Sequence, residues 1–143
     1  MLEQELLQKL RRSVRSGDIE VLTEPDSRAV NRLLFERFPF CGSWIDWSAV
    51  RNHQAHCQPL GSEVEGDFGA FFERCLGDRK GETAYYANDG LAVVLKSDVA
   101  TFLTHAPAFV DTLHTSYFIS ADGSWCMTLK MSGEMDFGSA PSP

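Results

Sequence analysis

The stretch Glu82 to Lys130 constrains the fold most, because two turn signals punctuate it: Asn88-Asp89-Gly90 and Ala121-Asp122-Gly123-Ser124. Asp-Gly set between β-prone runs is a strong short-range sign of a hairpin, since glycine adopts the backbone angles a tight turn needs. The first signal separates Ala84-Tyr-Tyr-Ala87 from Leu91-Ala-Val-Val-Leu95, and Gly90 is expected there at positive φ. The second separates Tyr117-Phe-Ile-Ser120 from Trp125-Cys-Met-Thr-Leu-Lys-Met131. The run Leu91–Leu95 is wholly apolar and carries paired valines, which predicts a strand buried on both faces. A buried helical segment has the same lack of period, and only length and the preceding turn weigh against it. Trp125, Met127, Leu129 and Met131 alternate with Cys126, Thr128 and Lys130, the pattern of a strand buried on one face.

Upstream, Leu2, Leu6, Leu10 and Val14 recur every four residues with Leu7 beside them. That spacing predicts an amphipathic helix over 2–16, stopped by Gly17. Ile19 to Leu22 reads as an edge strand or an extended link. Asp26 is expected to cap a second helix over 27–38, with Ala29, Val30, Leu33, Leu34 and Phe38 inward and Pro39 ending it. Asp67 is expected to cap a third helix that puts Phe68, Phe71, Phe72 and Cys75 or Leu76 on one face. Ser97-Asp98 offers a cap for a short fourth, with a further helical turn over 108–113. Trp44 and Trp47 read as a satellite core cluster, 52–66 as loop, 133–138 as an irregular end and 139–143 as a flexible tail. Helices first and a strand meander after predict a single α+β domain over 1–138. Its antiparallel sheet is expected to have four to five strands, with early helices on one face and the other partly open.

The formal net charge of −7 is unevenly placed. Residues 1–60 carry eight basic and eight acidic side chains, whereas 61–143 carry five and twelve. Such a field repels phosphate backbones, so nucleic acid is not an expected partner; a basic protein is, because opposite charge speeds encounter. The same charge also serves solubility alone. With no apolar run near the roughly 20 residues a membrane span needs, and no leader pattern, the expected location is the cytoplasm, away from any membrane. Cys41, Cys57, Cys75 and Cys126 are widely spaced, which in that compartment suggests free thiols.

His53-x-x-His56-Cys57, with Cys41, is the best metal candidate, but adjacent His56 and Cys57 suit a tetrahedral site poorly. No nucleophile elbow, phosphate-cradling loop or paired-histidine helix is present. The chain is therefore expected to be no enzyme and to hold no cofactor; an adaptor or regulatory protein-binding module, and after it a small zinc or thiol enzyme using His53, His56, Cys57 or Cys41, are the alternatives to a toxin-binding role. The acidic side chains Glu63, Glu65, Asp89, Asp122, Glu134 and Asp136 sit on turns and loops, where a rigid sheet could present them to lysines and arginines. Tyr85 and Tyr86 are strand neighbours that face opposite ways, so one of them is an expected anchor on the outer face.

In build, the chain resembles the small acidic immunity proteins that bacteria encode beside secreted toxins, particularly those of contact-dependent growth inhibition systems. The resemblance spans mainly 82–138 and includes Tyr117-Phe-Ile-Ser-Ala-Asp-Gly-Ser-Trp125 leading to Gly133-Glu-Met-Asp-Phe-Gly138. It implies an inhibitor that binds one cognate toxin domain, often a nuclease, and occludes its active site. It assigns no binding residue here.

Overall fold

The computed structural model describes residues 2–57, 64–110 and 114–141. Its strands in chain order are β1 (Glu20–Val21), β2 (Phe40–Cys41), β3 (Trp44–Ile45), β4 (Arg51–Cys57), β5 (Thr83–Asn88), β6 (Leu95–Asp98), β7 (Ser116–Ser120), β8 (Trp125–Leu129) and β9 (Glu134–Ser139). β2 and β3 form a small hairpin of their own, and the other seven make one sheet in the order β1-β6-β5-β7-β8-β9-β4. Every neighbouring pair in that sheet is antiparallel. The helices are α1 (Leu2–Lys9), α2 (Arg11–Ser16), α3 (Glu24–Arg37), α4 (Val64–Leu76), α5 (Val99–Thr104) and α6 (Ala106–Val110). The α+β class is as the sequence predicts, but the main sheet has seven strands rather than four to five. The short β1 and the exposed edge strand β4 join it by backbone pairing, and β9 forms in a segment expected to be irregular.

Strand register sorts the side chains into two layers. Tyr86, Phe118, Met127 and Phe137 stand opposite one another across four strands, so their side chains share one face. Against that face pack Leu6 and Leu10, the phenylalanines of α4, and Val99, Phe102 and Phe109. Phe118 is the centre of this layer: the rings of Phe68, Phe72, Tyr86, Phe102 and Phe109 lie 4.9–6.0 Å from it. Ile119 and Cys126 face the other way and meet Val30 and Leu34 of α3 and its C-cap Phe38, with Ile45 and Val50. Both faces of the sheet are thus covered, which corrects the expectation of a partly open face.

Covering both faces changes how several segments had to be read. β8 is buried throughout, Cys126 and Thr128 as fully as Trp125 and Met127, so its alternation separates two cores rather than core from water. β4 was hidden in a segment that reads as loop, Arg-Asn-His-Gln-Ala-His-Cys. It is an edge strand held by backbone pairing to β9, and its mostly exposed side chains need no apolar period. β9 occupies the segment expected to be irregular and is mostly buried. Within the segment expected to be a flexible tail, Ser139 ends β9 and Ala140 is buried and donates its N–H to the Ser124 carbonyl at 2.9 Å.

The two Asp-Gly signals fare differently. At the second, β7 and β8 form the expected hairpin, with Gly123 at φ +73° and Ser120 Oγ accepting the Ser124 N–H at 2.8 Å. At the first, β6 begins only at Leu95, so Leu91 to Val94 is not strand and Gly90 does not take a positive φ. The backbone there is engaged elsewhere. The Val94 N–H donates to Ser27 Oγ at 2.9 Å and its carbonyl accepts from Leu22 at 2.9 Å, while the Ala92 N–H donates to Glu3 at 3.2 Å. Helix starts also move. Thr23, not Asp26, caps α3 by accepting the Asp26 N–H at 3.3 Å, and Asp67 lies inside α4 rather than at its cap. The first helix breaks at Leu10 into α1 and α2, and Gly17 closes α2 at φ +87°.

Gly138 is where β9 passes closest to the segment entering β4. A Cβ on it would overlap Val50 Cγ1 and approach the Arg51 carbonyl to 3.1 Å and Trp47 Cζ3 to 3.3 Å. Gly138→Ala is therefore expected to cost about 1–3 kcal/mol of stability, read as a lower urea midpoint with an unchanged slope.

Candidate protein-interaction site

Asn88, Ser116, Leu129 and Met135 form one row across β5, β7, β8 and β9 and mark one end of the sheet. Two hollows open at this end. The larger, about 610 Å³, is walled by Leu34, Phe35, Phe40 and Leu91, with Asp89 and Tyr117 also lining it. The smaller, about 400 Å³, is lined by Trp44, His114, Lys130, Met131 and Glu134 among others. They adjoin, because the β2–β3 hairpin borders both and the Asp89 N–H donates across to the Thr115 carbonyl at 3.3 Å. Phe35, Trp44 and Met131 are 60 %, 56 % and 62 % exposed. They are the exposed large hydrophobic side chains of the described residues, and all three line these two hollows. Single exposed apolar residues are ordinary; their convergence on one concave end makes it the candidate interaction site.

Local structure explains each placement. Leu34 is buried on the inner stripe of α3, so Phe35, about 100° further round the helix, falls outside it. The Phe35 ring is braced against Phe40, with centroids 4.3 Å apart. Gly42 turns the hairpin at φ +66°, which brings Trp44 to the rim. Lys130 Nζ sits 4.2 Å above the Trp44 ring and also bonds Glu134 at 3.2 Å. Beneath the larger hollow lies a buried polar knot. The Tyr86 and Ser116 hydroxyls bond at 2.8 Å, Asn88 donates to both at 3.2 Å, and Asn88 Oδ1 accepts the Gly90 N–H at 2.8 Å. That knot fixes the backbone on either side of Asp89.

Burial pushes the Asp89 carboxyl above its ordinary pKa, against the opposing pull of His114 and a hydrogen bond from Tyr117. Burial, with Asp89 next to it, also pushes the Tyr117 phenol upward, so this hydroxyl stays a neutral donor at physiological pH. A carboxyl whose folded pKa is raised costs the folded state stability at neutral pH, and the cost falls as pH drops through the folded value. Asp89→Asn should accordingly melt no lower than the wild type at pH 7, with any advantage shrinking toward pH 4.

The structure does not gather the carboxylates into one platform. Glu63 lies outside the described residues, and Glu65 is in α4, its side chain likewise outside them. Asp136 points inward, 8 % exposed, with its Oδ1 2.8 Å from His53 Nε2. Asp122 is at the far end of the sheet, where Ser124 and Ser120 donate to it and hold its carboxyl below the usual range. Its contribution is present above the unfolded pKa and lost as pH falls through the lower folded value. An NMR titration should therefore show the β7–β8 turn loosening only under strong acid. Glu134 is at the interaction end but paired with Lys130. Asp89 alone of the six stands there without a lysine or arginine partner among the described residues. Of the tyrosines, Tyr86 is fully buried and cannot anchor a partner; its role is in the knot under Asp89. Tyr85 is half-buried on the α3 face, in a separate hollow with Leu22, Val30 and Lys96.

The three exposed hydrophobics carry little sequence signal as a group. Phe35 shows a faint signal, a large aromatic off the buried stripe of α3. Met131 was expected to face inward with Leu129 but lies past the end of β8. Trp44 was expected to be core, as half-buried Trp47 is; Trp47 stacks on His53 with centroids 5.3 Å apart.

His53 and His56, three apart on an extended strand, point to opposite faces. His53 meets Asp136, and His56 meets Asp67 at 3.3 Å. Among the described residues, no three His, Cys, Asp or Glu side chains converge in a way that could hold a metal ion. Burial pushes the Cys75 thiol up to about 11 and the Cys126 thiol further, which keeps both protonated. No helix of the described residues is long and apolar enough to cross a membrane. No protein-family model matches the chain, and no curated protein matches its sequence.

Proposed function

We propose that the protein is an immunity-type inhibitor that acts in the bacterial cytoplasm and binds one cognate toxin domain, one to one, through the β2–β3 end of its sheet. The observation that carries this reading is the convergence of Phe35, Trp44 and Met131 on two adjoining hollows beside the carboxylate of Asp89, which has no lysine or arginine partner among the described residues. An interface of this build has apolar anchors that exclude water and a charge that fixes register. The net charge of −7 supports a basic partner, since it accelerates encounter with a surface shaped to hold phosphate. A nuclease domain is such a partner. Contact is led by apolar side chains, with Asp89 as the charge at its centre, rather than by a spread of acidic groups.

The test is protection in cells. Expression of the adjacent upstream reading frame should arrest growth, and co-expression of this chain should restore it. Growth arrest that this chain fails to relieve counts against the proposal.

A further inference from the structure

We infer that the larger hollow receives one arginine side chain of the bound partner, with its guanidinium on the Asp89 carboxylate and its methylene stem along Phe35 and Leu91. This rests on the reading that the β2–β3 end is where the partner docks. Asp89 is the charged side chain that lines the larger hollow, and no lysine or arginine pairs with it among the described residues. Glu24, Glu73, Glu82 and Glu134 each hold a lysine or arginine, whereas the charge facing Asp89 is only His114. The hollow thus carries a carboxylate with no lysine or arginine partner among the described residues, under partly apolar walls.

The walls favour a planar cation. Phe35 is 60 % exposed and lines the same hollow as Asp89, with its ring braced against Phe40 at 4.3 Å, so aromatic faces are among the walls. A guanidinium stacks on such faces, is weakly hydrated and presents five N–H donors in a fork; an ammonium is a compact, strongly hydrated point charge. Acceptors beyond Asp89 are available on the same wall, where Ser43 and Asn31 also line the hollow. The volume of about 610 Å³ admits a long side chain. The site is also stiff, because the Tyr86–Ser116–Asn88 knot holds the chain beside Asp89 before any ligand arrives.

The partner is not needed for the test. Nitrogen-15-labelled protein is titrated with N-acetylarginine amide, with the citrulline amide as a neutral isostere and the lysine amide as a non-planar cation. Saturable shifts are expected at Phe35, Asn88, Leu91 and Tyr117, absent with citrulline and weakened about tenfold or more by Asp89→Asn. No saturable binding, an equal response to citrulline, or unchanged affinity in Asp89→Asn overturns the inference. An equal response to the lysine amide overturns the arginine assignment. If arginine amide fails while the wild-type chain still captures the toxin, only this inference falls. If the toxin is not captured, the proposed function falls whatever the titration shows.

Discussion

Phe118→Ala should lower the free energy of unfolding by about 3–5 kcal/mol, among the largest losses any single substitution in this chain would produce. Phe118 is on a central strand, wholly buried, and five aromatic rings close around it. Three elements meet there: α4 through Phe68 and Phe72, the α5–α6 pair through Phe102 and Phe109, and β5 through Tyr86. Truncation removes the transfer free energy of the ring and leaves a space that β7, bonded on both sides, cannot collapse to fill. Urea unfolding followed by tryptophan fluorescence reads the change directly. Phe118→Leu, which keeps most of the volume, should cost much less.

The second large effect is on binding. Trp44→Ala should weaken the complex with the partner by about 2 kcal/mol or more, roughly a thirtyfold rise in Kd. Its stability should stay within about 0.5 kcal/mol of the wild type, because the ring is 56 % exposed. That combination separates an interface residue from a core residue. Asp89→Lys should act differently, slowing association, and slowing it more at low salt than at high salt. Isothermal calorimetry and stopped-flow mixing distinguish the two.

How much of this was legible beforehand follows from what each segment is held by. The β7–β8 hairpin could be read because local turn chemistry and burial agree there. Leu91 to Val94 could not, because its backbone is satisfied by Ser27, Leu22 and Glu3, partners distant in sequence. β4 was invisible for the opposite reason: an edge strand with exposed side chains needs only backbone pairing, which residue types do not encode. At the site, Asp89 stood out as a turn residue, but turns commonly want aspartate. Its lack of a lysine or arginine partner among the described residues is a property of the folded surface. Phe35, Trp44 and Met131 come from a helix, a hairpin and a turn, and each alone reads as stray or core. Only the fold brings them to one end.

The most direct measurement is light scattering, after size-exclusion chromatography, of this chain mixed with the purified product of the adjacent toxin reading frame, alongside an assay of the toxin's activity. A one-to-one complex with the toxin silenced, and its loss when Trp44 and Asp89 are replaced together by Ala and Lys, is the result expected. Two separate peaks with the toxin fully active, or a complex indifferent to that double replacement, contradicts the assignment of this end of the sheet as the inhibitory surface.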